Sequence, residues 1–133
     1  MDKRRYQREK LGIPGNFYIQ GFREGDNEFT GIIDNISEVG ILVNVSGVGN
    51  CAIADELTIG SEMKFLSMDE YVIFEEKKRV YVTGTASVVR KEINNGLMSF
   101  GCELKGVSHA LEKYISDIKI CSFQNRGYRL AEY

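Results

Sequence analysis

Three arginines stand close to the start of this chain, in the run Arg4-Arg5-Tyr6-Gln7-Arg8. The pattern is R-x-x-x-R with an extra arginine inside it. A guanidinium is planar and always charged. It can set two parallel hydrogen bonds on a phosphate, or on the O6 and N7 edge of a guanine, and it can stack on a purine face. Arginines this close repel one another without an anion, so a mobile terminal segment suits them.

A second group follows in Asn35-Ile36-Ser37-Glu38-Val39-Gly40, an N-x-S-x-x-G pattern at the end of an apparent strand. In extended chain, Asn35 and Ser37 project from one face. The amide supplies a donor and an acceptor, and the hydroxyl a further polar group, for a base edge or a phosphate. Gly40 permits a tight turn and close approach by a ligand. Each group also has a plainer explanation. A basic head is often a solvated tail, and Asn, Ser and Gly commonly end a strand in a turn.

Charge is unevenly placed. Formal net charge is −2 over 133 residues. Residues 1–10 carry +3 and the remainder −5. That arrangement suits a local anion site better than a nucleic-acid surface, which spreads positive charge over a face. Catalytic patterns are missing from the sequence. The single histidine, His109, stands at the expected start of a helix. No cluster has metal-ligand spacing, and there is no serine elbow or phosphate loop. Gly47-Val48-Gly49 reads as a loop. Cys51, Cys102 and Cys121 are widely spaced and read as small buried hydrophobes in a reducing compartment. The charged N-terminus has no apolar run behind it, and no stretch is long enough to span a bilayer. The expectation is a cytoplasmic, non-enzymatic protein with no cofactor and no membrane insertion.

The elements that must position these residues read as strands. Val80, Val82, Gly84, Ala86 and Val88 alternate with polar residues, as do Met98, Phe100, Cys102 and Leu104. Asn94-Asn95-Gly96 between them is a hairpin turn. Strands are also expected near 17–22, from Glu28 to about Ile36, from Ile41 to Val45, and within 61–74. Glu75-Glu76 reads as part of a charged turn. Pro14 marks the start of an extended run. One helix is expected after Ser108, with Leu111, Tyr114, Ile115 and Ile118 on its apolar stripe. Six or seven antiparallel strands leave exposed edges unless they close, so a small barrel is expected.

These residues are where the chain resembles the PilZ domains, bacterial receptors for cyclic di-GMP. The resemblance covers about residues 3–118. It includes the basic head, the Asn35–Gly40 pattern leading into Ile41-Leu42-Val43, and Gly60 before the fourth strand. It also includes the strand Val80 to Arg90 and the closing Phe100-Gly101-Cys102-Glu103-Leu104. It implies an all-β fold, a six-stranded antiparallel β-barrel of split-barrel type with one C-terminal α-helix. Residues 1–14 would form a flexible ligand clasp, 15–121 the barrel and helix, and 122–133 a tail. It implies that Arg4 and Arg8 bind guanines and phosphates with Arg5 assisting, that Asn35 and Ser37 contact a guanine, and that Gly40 shapes the turn. The family often has aspartate where this chain has Asn35. The ligand would be one cyclic di-GMP or a stacked pair, and the output an effector protein. Monomer and homodimer both stay open. A module that binds partners but no nucleotide is the alternative. The acidic body disfavours an RNA or single-stranded-DNA barrel.

Overall fold

A computed structural model of the protein describes residues 9–21 and 27–125. Within them run β1 (Glu9–Ile19), β2 (Glu28–Ile36), β3 (Gly40–Val45), α1 (Val48–Ala54), β4 (Glu62–Ile73), β5 (Glu76–Asn94), β6 (Leu97–Lys105) and α2 (His109–Asn125). The strands form one closed antiparallel barrel in the order β1-β2-β3-β6-β5-β4. From Gly15 onward β1 also pairs with β4, and this closes the barrel.

Alternation in the sequence becomes inside and outside. Phe17, Phe29, Ile33, Val43, Phe65, Val82, Ala86 and Phe100 fill the lumen. Phe17 lies stacked on Phe29, with ring centroids 5.2 Å apart. Gly84 stands where β5 passes beneath Phe65, whose ring would lie 2.8 Å from an added Cβ. The β5–β6 turn has positive φ at both Asn95 and Gly96, the two-residue geometry that matches strand twist. The β4–β5 turn does the same at Phe74 and Glu75.

Expectations about three boundaries change, two of them before β4. The first strand begins at Glu9, ahead of the strand expected near 17–22, so residues 9–14 are strand as well. Leu11 and Ile13 are buried there, and that burial outweighs the proline. A bulge at residues 10–13, with Gly12 at φ 72, re-aims the strand. Pro14 is tolerated because β1 is paired only with β2 at that point; pairing with β4 starts at Gly15. The expected glycine-rich loop at 46–50 is in part a helix. In α1, Asn50 accepts from the Thr30 amide at 3.0 Å, and Ala54 and the following Leu57 are fully buried. Lys91 donates to the carbonyls of Asp55 and Leu57 beyond the helix, at 3.0 and 2.9 Å, where a cation suits its negative end.

The second helix is where it was expected. Ser108 Oγ accepts from the Leu111 amide at 3.1 Å, and Leu111, Tyr114, Ile115 and Ile118 are buried. The helix runs on to Asn125, past the expected start of the tail. Two buried pairs clamp it to β4. Tyr71 donates to Asp117 Oδ2 at 2.7 Å, and Tyr114 donates to Asp69 Oδ2 at 2.8 Å. Burial, reinforced by the Asp117 carboxylate, raises the Tyr71 phenol well above its ordinary pKa, so it stays a donor. Tyr71→Phe removes the donor from a buried carboxylate. It is expected to lower the unfolding free energy by about 1–3 kcal/mol, measured as a shifted urea midpoint.

Candidate functional site

The N-x-S-x-x-G residues meet at one corner of the barrel. Asn35 is the last residue but one of β2, Ser37 opens the turn, and Gly40 begins β3. The Ser37 amide donates to the Gly40 carbonyl at 2.9 Å. Ser37 is fully buried, and its Oγ accepts from the amides of Val39 and Gly40, both at 3.3 Å. The hydroxyl therefore holds the turn as an acceptor and keeps its own hydrogen to donate.

Gly40 has a reason of its own. An added Cβ would lie 2.5 Å from the Cys102 carbonyl oxygen on β6. The close approach that demands glycine is made by the neighbouring strand. Burial pushes the Cys102 thiol up to about 12, in keeping with its reading as a buried hydrophobe.

Asn35 sits at a register shift between β2 and β3. Its Oδ1 is buried and accepts no hydrogen bond among the described residues. A buried acceptor without a donor costs about 1–3 kcal/mol, and such a cost persists most readily where another molecule supplies the donor. The Asn35 side-chain amide carries both an acceptor and donors, the groups a purine edge pairs with.

The first strand begins at this corner. Glu9 pairs with Ile36 and Lys10 with Asn35. Arg4, Arg5 and Arg8 themselves lie outside the described residues.

Sequence reasoning passed over two features of the neighbourhood. Lys119 on α2 donates to Glu38 Oε2, inside the turn. Burial works against ionisation of Glu38, but the Lys119 hydrogen bond and charge hold its carboxyl below the usual range. A cleft of about 420 Å³ opens there between Glu38, Val107 and the Glu112, Ile115, Ser116 and Lys119 face of α2. The second feature is a row of residues across the barrel. Asn35 pairs with Leu42, Leu42 with Gly101, and Gly101 with Arg90. The first could not be found without the packing of α2, nor the second without the cross-strand register.

Among the described residues no group of three or more His, Cys, Asp or Glu could hold a metal ion. No described helix is long and apolar enough to cross a membrane.

Three solved structures share the fold. The inhibitor of motility MotI/DgrA of Bacillus subtilis is 15% identical with TM-score 0.67, covering 95% of this chain and 54% of that one. The MrkH–c-di-GMP complex of K. pneumoniae is 14% identical with TM-score 0.63, covering 93% and 55%. The PilZ domain of YcgR from Escherichia coli, with c-di-GMP, is 14% identical with TM-score 0.52, covering 91% of both chains. This chain thus spans about half the length of the first two. No curated protein matches it by sequence. The PilZ domain model matches residues 2–118, from before the arginines to the middle of α2, and the chain therefore belongs to the PilZ domain family.

Proposed function

We propose that this protein is a cytoplasmic receptor for cyclic di-GMP that signals through a partner protein and catalyses no reaction. The Asn35–Gly40 corner is the fixed half of the site. Arg4, Arg5 and Arg8 form the other half and close over the nucleotide. The observation that carries this reading is the buried Asn35 Oδ1, which has no donor among the described residues, opposite Lys10 near the start of β1. The likeness to MrkH and the YcgR domain, both solved with c-di-GMP, supports the choice of ligand.

The energetics allow the clasp to work as a switch. Charge-assisted hydrogen bonds contribute about 1.5–3 kcal/mol each. Several of them outweigh an ordering cost of about 1–2 kcal/mol per residue over a short hinge. The ligand, single or as a stacked pair, and the arginines around it would then form the surface a partner reads.

Asn35→Leu separates function from stability. It removes an unsatisfied buried acceptor at similar volume, so the urea midpoint is expected to hold or rise. Binding of cyclic di-GMP, followed by calorimetry, is expected to weaken about tenfold or more, one good base contact being worth about 1–3 kcal/mol. Wild-type affinity in Asn35→Leu would contradict the assignment. A partner is sought by pull-down with and without ligand; one retained only with cyclic di-GMP is the expected result.

A further inference from the structure

We propose that Arg90 is a further ligand-contacting residue, its guanidinium forming the platform on which a second guanine of the ligand stacks. This rests on the reading above and adds the far end of the site to it.

The row Asn35, Leu42, Gly101, Arg90 crosses adjacent strands β2, β3, β6 and β5. With strands about 4.8 Å apart, the ends of the row stand about 14 Å from each other along the sheet. Arg90 does not extend away from the row. Its side chain folds back over Gly101, where an added Cβ would lie 3.1 Å from Nη2 and 3.2 Å from Cζ. The guanidinium therefore lies across the backbone of β6, one strand beyond Leu42, and glycine at 101 is what lets it settle there.

A bulge in β5 between Val88 and Arg90 sets this aim. Bulges commonly redirect one side chain out of the regular alternation. Glu92 steadies the group by an ion pair, its Oε2 standing 3.2 Å from Nε. That leaves both terminal nitrogens without a partner among the described residues. The Arg90 side chain is about half exposed, so its outer face is open to a ligand.

Leu42 lies between the two ends and is half-buried. The outer surface thus runs from an amide whose acceptor has no donor among the described residues, over an apolar side chain, to a cationic plane. A cyclic dinucleotide has two bases on one ring, and this surface offers one polar base seat and one stacking seat. Arginine planes stack on purine faces by cation–π attraction, which lysine's compact ammonium does poorly.

The test uses the whole chain titrated calorimetrically with cyclic di-GMP, beside urea unfolding of each variant. Arg90→Ala and Arg90→Lys are each expected to weaken binding about tenfold with the unfolding midpoint unchanged. Gly101→Ala, which lifts the guanidinium off its seat, is expected to weaken binding in the same direction. If wild type binds and Arg90→Lys or Arg90→Ala binds within about threefold of it, Arg90 has no such part and only covers Gly101. If wild type itself does not bind, the receptor reading fails and this assignment falls with it.

Discussion

Gly40→Ala is expected to lower the unfolding free energy by about 1–3 kcal/mol or more, the range for overpacking a filled site. The new methyl would meet the Cys102 carbonyl oxygen at 2.5 Å. Backbone cannot rotate aside as a flexible side chain can. Relief requires β3 to part from β6 where Gly40 pairs with Glu103 and where the Leu104 amide donates to the Val39 carbonyl at 2.8 Å. The Ser37 turn is built on the Gly40 amide and carbonyl, so the same movement would loosen the nucleotide corner. Gly49→Ala is the matched control. It lies in α1 with nothing within 4 Å of the added carbon, and alanine favours a helix over glycine by about 0.5–1 kcal/mol. Urea unfolding should show opposite signs for the two substitutions. Equal and small effects would mean that the β3–β6 contact yields easily.

The second large effect belongs to the arginines. Arg4→Ala and Arg8→Ala are each expected to weaken cyclic di-GMP binding by about tenfold to a hundredfold. Each removes at least one charge-assisted contact of about 1.5–3 kcal/mol. Arg5→Ala is expected to cost less, since Arg5 assists from between them. None of the three should move the urea midpoint much. Calorimetric titration of the three variants in one buffer at fixed salt measures the order directly. An Arg4→Ala protein that binds as tightly as wild type would contradict the clasp.

The strands were legible wherever one face is buried. Val80 to Val88 and Met98 to Leu104 alternate, and Asn95-Gly96 turns between them. The residues of the Asn35–Gly40 corner were legible as a spacing. Hidden were the features made by partners far apart in the chain. Tyr71 and Asp117 are 46 residues apart, and Tyr114 and Asp69 are 45. The short α1 was hidden because Gly47 and Gly49 argue against a helix. Asn50, Lys91 and the burial of Ala54 hold it in place. The early start of β1 was masked by Pro14, whose cost falls where β4 is not yet paired. Arg90 carries no local signal at all. Its relation to Asn35 exists only through the register of four strands.

The central claim is that the Asn35–Gly40 corner and the arginine head together bind cyclic di-GMP. Calorimetric titration of the wild-type chain with cyclic di-GMP, with cyclic di-AMP as the control, tests it most directly. The expected result is saturable binding of cyclic di-GMP at low micromolar concentration or below, with one or two ligands per chain, and none of cyclic di-AMP. No detectable heat with cyclic di-GMP at tens of micromolar, or equal binding of both dinucleotides, would contradict it.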